Sequence, residues 1–266
     1  MKTELGKLLL ALTLLAACTV KENRSACPAW CVVASDGHVA DNYHGRLLCN
    51  IATVARRDYG RSRADFDSFF NRGELLFEVP RNETVYVDVF NGVNGMSLRD
   101  SVLLISPGHC CDSIYSGHSS VFVVEDEVET MLPLNKDFAT MLLKINGLGE
   151  NGSCICQIRG NVDGYCIPGG RPHTGAFIYK VVMEDGVSCP VRLPRQTDDS
   201  LILEIMSPED GRTLASQPLG KAIAQLGYDW SAQDLRDFAI GVDMKEVRLT
   251  ITIEAWDGSR TININL

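Results

Sequence analysis

The sequence is short of histidine, tryptophan and clustered positive charge, and each shortage excludes a class of function. Its 266 residues include five histidines and three tryptophans, and 25 Lys and Arg against 34 Asp and Glu give a net charge of −9. Because phosphate binding needs clustered Lys and Arg, the acidic balance predicts no nucleic-acid partner. No histidine lies beside a nucleophile in a complete motif. The chain is therefore predicted to be no enzyme and to need no cofactor.

Two glycine-containing loops come near known motifs but lack the residues that complete them. Residues 91–95 (Asn-Gly-Val-Asn-Gly) are not followed by the Gly-Lys-Ser/Thr of a phosphate-binding loop. Residues 117–121 (Gly-His-Ser-Ser-Val) lack the last glycine of a nucleophile elbow. Both stretches are therefore interpreted as turns or strands rather than as catalytic loops.

Long apolar runs are also missing, apart from one near the start. The run from Leu8 to Ala17 gives only about 15 Å of helix, roughly half of what a membrane span needs. Two lysines precede the run and small residues end it, so residues 1–17 are predicted to be a secretory signal. Cys18 follows, and Leu-Ala-Ala-Cys resembles the lipobox of bacterial lipoproteins. In those proteins the chain is cut before the cysteine, whose thiol receives a diacylglycerol.

Acylation of Cys18 would tether the rest of the chain to a membrane. A diacylated cysteine supplies the two acyl chains that stable anchoring takes, and the polar residues 18–26 are predicted to form a lipidated tether. Glu22 places one acidic residue just behind the lipid site. This resembles a surface-export signal of lipoproteins in some Gram-negative anaerobes, which favours a protein facing outward. The alternative is an ordinary signal peptide with a chance cysteine.

The ten cysteines are predicted to serve structure. Nine remain if Cys18 is acylated, and because an exported chain meets an oxidising compartment, disulfides are the default expectation. An odd number leaves at least one thiol unpaired within the chain. The metal alternative rests on His109-Cys110-Cys111 with His118, whose spacing does not match zinc sites, so no metal is predicted. The candidate disulfide residues are Cys27, Cys31, Cys110, Cys111, Cys154 and Cys156.

Alternation of apolar and polar residues dominates the rest of the chain. Val85, Val87 and Val89 alternate with polar neighbours, which predicts a strand with one buried face. The clearest strand is Val247–Trp256, followed by a turn and a final alternating strand over 261–266. Many short strands separated by turns predict an all-β protein built from sandwiches. Helix is a minor component, predicted at 64–72, at Leu219–Leu226 and, for a single turn, at Asp234–Phe238.

The glycine- and asparagine-rich stretch 146–152 is the candidate domain junction. A similar late strand lies on each side of it, at Phe138–Ile145 and at Val247–Trp256. This repetition predicts two sandwich domains in tandem, an N-terminal one over 27–149 and a C-terminal one over 150–266.

Three stretches together resemble the FimB-type fimbrial anchor lipoproteins. Residues 18–28 match that family's lipobox cysteine, short charged tether and Cys-Pro strand. Residues 133–139 resemble the end of its first domain, and residues 234–256 resemble its last domain, with an alternating strand that ends in Trp. One departure is Ala29, because the family often has a second cysteine directly after Cys-Pro, whereas this chain has Cys31.

The resemblance implies two transthyretin-like β-sandwiches, an outer-membrane lipid anchor and a role as anchor or assembly subunit of a type V fimbria. Its implied partners are fimbrial shaft subunits, which join by β-strand addition. Because an edge strand needs a cover, the final strand or a groove beside it is the predicted contact. The predicted subunit-contact residues are Thr261, Ile262, Asn263, Ile264, Asn265 and Leu266.

The competing class is a surface lipoprotein that binds a glycan or another ligand through exposed aromatic rings. Trp30 and Trp256 lie in strand-like runs, which predicts that they are buried. Trp230 with Tyr228 is therefore the candidate aromatic platform, and a core corner is its alternative interpretation. A lipid-anchored hydrolase is a third class, and no catalytic motif favours it.

Overall fold

The computed structural model describes residues 27–34, 45–56, 60–65, 74–149, 152–246, 248–255 and 258–265. The predicted signal peptide, Cys18 and the tether lie outside these residues, as do most of the predicted helix at 64–72, Trp256 and Leu266. The described residues form nineteen strands and one α-helix. This confirms the all-β class expected from the alternating pattern.

The strands are distributed over four sheets, and most are short, apart from two of 14 and 13 residues. In chain order the elements are β1 (Ala29–Ala34), β2 (Arg46–Thr53), β3 (Gly60–Asp65), β4 (Glu74–Val79), β5 (Thr84–Asn91), β6 (Ser97–Arg99), β7 (Val102–Leu104), β8 (Tyr115–Phe122), β9 (Glu127–Met131), β10 (Asn135–Lys136), β11 (Phe138–Asn146), β12 (Ser153–Cys166), β13 (Pro172–Glu184), β14 (Ser188–Pro194), β15 (Ile202–Met206), β16 (Thr213–Gln217), α1 (Leu219–Gln225), β17 (Phe238–Asp243), β18 (Arg248–Ala255) and β19 (Gly258–Asn265).

The first sandwich packs a three-stranded sheet, ordered β4-β1-β9, against a five-stranded sheet, ordered β10-β8-β5-β2-β3. Cys31 and Val33 of β1 meet Cys49 and Ile51 of β2 in its core. Alternate valines of β5, among them Val87, lie in the same core, which confirms the predicted alternation. The three-stranded sheet therefore has one face in this core and one face outward.

β2 and β5 are buried on both faces. Their residues on one face fill the core of the first sandwich, whereas Leu48 and Phe90 on the other face belong to the core of the second sandwich. Asn50 and Asp88 also lie buried on that second face. The five-stranded sheet is thus a shared wall between the two sandwiches.

The second sandwich packs a sheet ordered β14-β11-β17-β18-β19 against a sheet ordered β16-β15-β12-β7-β6, with β13 paired to β12. Met141 and Ile251 of the first of these sheets lie in one continuous core. Cys156, Ile158 and Ile205 of the second sheet lie in the same core. β6 and β7 reach this sandwich from the connection between β5 and β8, so the two sandwiches share more than a single linker.

The two late strands used to predict the tandem arrangement lie in one sheet. β11 pairs in parallel with β17, and β17 pairs antiparallel with β18, so the similar strands are separated by one strand. The interpretation of these strands as one per domain was wrong, because sheet partners far apart in sequence leave no local signal. The boundary predicted between residues 149 and 150 stays a prediction, and the pairing of β11 favours a junction before Phe138.

The predicted helix at Leu219–Leu226 is confirmed as α1, whereas the helical turn predicted at Asp234–Phe238 is wrong. Phe238 begins β17, and the acidic residues before it bind other strands. Asp234 accepts the backbone N–H of Lys136 at 2.7 Å, and Asp237 accepts the backbone N–H of Thr140 at 2.6 Å. Within the described part of the chain, no helix has the length and apolar character needed to cross a bilayer.

Candidate functional site

β19 is an edge strand of the second sandwich. It pairs antiparallel with β18 along its whole length, from Gly258 opposite Ala255 to Asn265 opposite Arg248. No other strand among the described residues pairs with it. The backbone groups on its far side are therefore available to a further strand over residues 261–265.

The two faces of β19 differ as the sequence predicted. Ile262 and Ile264 are half-buried and pack against the core of the second sandwich. Thr261, Asn263 and Asn265 are exposed on the opposite face. The exposed side chains also pair across the strands, since Thr250 Oγ1 donates to Asn263 Oδ1 at 2.8 Å and the hydroxyls of Thr252 and Thr261 lie 3.1 Å apart. Leu266 lies outside the described residues.

β13 is a second long edge, which no pattern in the sequence indicated. Within the described ranges it pairs only with β12, and its thirteen residues alternate between the core and solvent. Phe177 and Met183 are buried on the core side, whereas Val182 on the outer side is 65 % exposed. Because apolar residues lie on both faces of β13, the sequence pattern could not tell the buried face from the exposed one.

A chain of polar side chains crosses the joint between the two sandwiches. His118 Nδ1 lies 2.9 Å from Oδ1 of the buried Asp88, and His118 Nε2 lies 3.0 Å from the hydroxyl of Ser116. The Ser116 hydroxyl in turn donates to Asp137 Oδ2. Gly169, in the turn between β12 and β13, donates its backbone N–H to Asp88 Oδ1 at 2.7 Å. The turn of the second sandwich thus closes over the wall of the first.

Arg195 extends this chain into the second sandwich. Its Nε donates to Asp137 Oδ1 at 2.8 Å, and its Nη1 donates to the carbonyls of Trp230 and Ala232, each at 2.6 Å. Its Nη2 donates to the carbonyl of Gln233 at 3.1 Å. One half-buried guanidinium therefore ties the β10–β11 junction to the loop before β17.

The order Asp88–His118–Ser116 resembles a hydrolase triad in its contacts but not in its hydrogen bonding. A nucleophilic serine has to give its proton to the histidine. The Ser116 hydroxyl donates instead to Asp137, and Ser116 is buried. A shallow cavity of about 230 Å³ opens beside these residues, and its lining groups already bind one another. The arrangement is suited to holding two domains together.

The candidate disulfide cysteines fall into different environments. Cys27 is exposed, Cys110 is half-buried, and the others are buried; these are Cys31, Cys111, Cys154 and Cys156. All nine described cysteines are free thiols in the structure. The sulfurs of Cys154 and Cys156 lie 3.9 Å apart on the buried side of β12, well beyond the roughly 2.05 Å of a disulfide. The disulfides therefore stay a prediction.

Burial disfavours the thiolate form in the first sandwich. It raises the pKa of Cys31 to about 11, and it raises the pKa of Cys49 further, where the nearby Cys31 adds to the effect. Cys49 left no signal in the sequence, since it stands alone in an apolar run. Among the described residues, no group of three or more His, Cys, Asp and Glu side chains could hold a metal ion.

Tyr228 and Trp230 do not form an exposed platform. Tyr228 is 7 % exposed and Trp230 is 9 % exposed. The Tyr228 ring packs edge-to-face on Trp230 at 4.8 Å and on Phe238 at 5.3 Å, and its hydroxyl donates to the carbonyl of Arg236 at 2.6 Å. The alternative interpretation of the pair as a core corner is therefore confirmed.

The fold is similar to those of several solved bacterial proteins. The fimbrial anchor protein Mfa2 from Porphyromonas gingivalis is 10% identical, with a TM-score of 0.65 over 90% of this chain and 98% of that chain. A candidate adhesin from Bacteroides ovatus is 10% identical, with a TM-score of 0.61 over 89% of this chain and 95% of that chain. A candidate polysaccharide-binding protein from Bacteroides thetaiotaomicron is 10% identical, with a TM-score of 0.59 over 89% and 98%.

No protein-family model matches the chain, and no curated protein does. At 10% identity the likeness to the solved structures shows the fold. The tandem β-sandwich fold that the resemblance implied is thereby confirmed.

Proposed function

We propose that this chain is a lipoprotein of the outer membrane, lipidated at Cys18 and facing outward, that acts as an anchor or assembly subunit of a type V fimbria. The observation that carries the proposal is the edge of β19. Its core-facing residues Ile262 and Ile264 are only half-buried, so the sandwich is left incomplete beside its last strand. A strand from a shaft subunit would complete the sheet through backbone hydrogen bonds and cover these side chains.

The β13 edge is the alternative place for an added strand. Its core side is similar to that of β19, since Tyr179 and Val181 are half-buried there between the buried Phe177 and Met183. Apolar burial therefore does not separate the two edges, and the choice of β19 rests on the sequence-based expectation that the final strand is the contact. The subunit is proposed to pair with β19.

The proposed lipid and the proposed subunit contact belong to opposite parts of the chain. Cys18 precedes β1 of the first sandwich, and β19 belongs to the second sandwich. The membrane end and the fimbrial end would thus be separate surfaces, which an anchor requires. The similarity to a fimbrial anchor protein supports this interpretation through the fold, although a fold alone does not establish function.

Two variants separate the two halves of the proposal. A chain that lacks residues 260–266 should keep its palmitate label and its place in the outer membrane, but it should lose the capture of fimbrial subunits. The Cys18→Ser variant should do the reverse, because it loses the acyl chains and keeps β19. Subunit capture is measured by co-purification, and lipidation is measured by labelling with radioactive palmitate. Normal retention of fimbriae by the truncated chain would contradict the proposal.

A further inference from the structure

The outer face of the three-stranded sheet combines exposed apolar side chains with uncompensated acidic ones. We call it the Trp30 face. Across the three strands β4, β1 and β9, the register places Glu78, Trp30 and Glu127 in one row, Leu76, Val32 and Glu129 in the next, and Glu74, Ala34 and Met131 in the third. Partners in register share a face of the sheet, so these nine side chains lie on one face, and the central Val32 is buried among them.

Trp30 is exposed, contrary to the burial predicted from its strand-like run. The ring is 48 % exposed, and Leu76 and Met131 on the same face are 54 % and 55 % exposed. The sequence pattern misled because the run Ala29–Ala34 is apolar on both faces, while the neighbouring Cys31 and Val33 take the core side. A large exposed aromatic residue with apolar neighbours is typical of a protein-binding surface.

The four glutamates of the Trp30 face have no ion-pair partner among the described residues. These are Glu74, Glu78, Glu127 and Glu129, and all four are exposed. Glu204, on the outer side of β15 in the second sandwich, differs from them, since it pairs with Arg159 at 2.6 Å and accepts from Gln157 at 2.6 Å. The Trp30 face contains no Lys or Arg at any of its nine positions. The described part of the chain thus leaves this acidic charge without a neutralising partner.

The row through Trp30 is suited to a cation. Glu78 and Glu127 lie on the two strands that flank the tryptophan, directly opposite it in the register. A guanidinium or ammonium group placed over the indole ring would be attracted by the ring and by both carboxylates. Arginine fits best, because its planar group both stacks on an aromatic ring and binds a carboxylate through two N–H groups.

We propose that the Trp30 face binds a partner protein through a segment in which Arg or Lys alternates with apolar residues. The cationic side chains would meet Trp30 and the flanking glutamates, and the apolar ones would cover Leu76 and Met131. Charge complementarity selects this occupant, since four carboxylates repel an anionic membrane surface or an acidic peptide. The surface is separate from β19, so the two proposals stand or fall independently.

The test uses a fluorescent ten-residue peptide that alternates arginine with valine, titrated against the full chain. The control peptide replaces every arginine by citrulline, which keeps the shape and removes the charge. The arginine peptide should bind at least tenfold more tightly than the citrulline peptide, and the difference should shrink as salt is raised. Trp30→Ala and the double variant Glu78→Gln/Glu127→Gln should each weaken its binding at least tenfold.

The matched control is Glu209→Gln, which removes one exposed carboxylate from a turn of the second sandwich. It should leave binding of the arginine peptide unchanged. An equal loss in Glu209→Gln, or unchanged binding in Trp30→Ala, would overturn the proposal, because attraction to the overall negative charge would then suffice. Sedimentation of the full chain completes the test. A dimer that Trp30→Ala dissociates would assign the face to a second copy and would also overturn it.

Discussion

The joint between the two sandwiches and the outer surfaces of the molecule differ in whether their polar groups have hydrogen-bond partners. At the joint, Asp88, Ser116 and Asp137 are buried, and each has a side-chain hydrogen-bond partner from a distant part of the chain. At the β19 edge and on the Trp30 face, backbone groups and carboxylates have no such partner among the described residues. The difference indicates which surfaces the chain completes by itself and which it leaves for other molecules.

Replacing one arginine at the joint and one on the outer surface should give the largest difference in the free energy of unfolding. Arg195→Ala leaves Asp137 buried without its ion pair and frees four carbonyl groups, so we expect a loss of about 3–5 kcal/mol in the free energy of unfolding. Arg159→Ala breaks an ion pair at the surface, which should cost less than about 1 kcal/mol. Urea denaturation measures both. Similar losses would show that the joint is no more sensitive than the surface.

A glycine at the joint should be far less replaceable than one outside it. Gly170 and Gly186 both have a positive φ, of 61° and 72°. A Cβ on Gly170 would lie 1.9 Å from His118 Nε2, whereas a Cβ on Gly186 would have no neighbour within 4 Å. We expect about 1 kcal/mol of backbone strain in both alanine variants, and about 2 kcal/mol more in Gly170→Ala because His118 has to move.

Thermal unfolding measures the stability of both alanine variants, and a third variant identifies the cause of the extra loss at Gly170. Adding His118→Ala to Gly170→Ala removes the clash, so the extra loss beyond that of His118→Ala alone should shrink to the strain seen in Gly186→Ala. If the loss at Gly170 stayed the same without the imidazole, contact with His118 would not be its origin.

Thiol reactivity should separate the exposed and buried parts of the first sandwich. In the reduced protein at pH 8, iodoacetamide should label Cys27 and spare Cys31, because burial raises the pKa of Cys31 to about 11. The neutral thiol is the form that the fold favours, so this contribution to stability is present below pH 9 and is lost as the pH rises towards 11. Mass spectrometry of peptic fragments reads the labelling. Rapid labelling of Cys31 at pH 8 would contradict the buried position of β1.

Sequence reasoning succeeded where the face of a residue depends on its near neighbours. The alternation over Val85–Val89 and over 261–265 predicted both faces of β5 and β19, and the spacing over Leu219–Leu226 predicted α1. The edge position of β19 follows from the strand pairing and not from the alternation. Its use by a subunit remains a proposal, because strand pairing between chains has no signal in one sequence.

Sequence reasoning failed where contacts join distant parts of the chain. Asp137 and Arg195 are 58 residues apart, and no local pattern marks them as partners. His118 was singled out by an incomplete nucleophile motif and by the rejected metal alternative, whereas the structure places it between Asp88 and Ser116. Trp30 was misassigned because both faces of its strand are apolar and the missing cover could not be foreseen.

The central claim is that fimbriae are held at the β19 edge, and matched lysine variants test it most directly. Lysines on an edge strand oppose the addition of another strand. Thr261→Lys/Asn263→Lys places them on β19, and Ile178→Lys/Val182→Lys places them on β13, in each case at exposed positions where stability should change by less than about 0.5 kcal/mol per residue.

The measurement is electron microscopy of cells and culture medium after each variant replaces the deleted gene. The account predicts fimbriae shed into the medium, or abnormally long ones, with the β19 variant and in the deletion strain, and normal fimbriae with the β13 variant. Normal, retained fimbriae with the β19 variant would contradict the claim that this edge holds the subunit, and unchanged fimbriae in the deletion strain would contradict the role as an anchor.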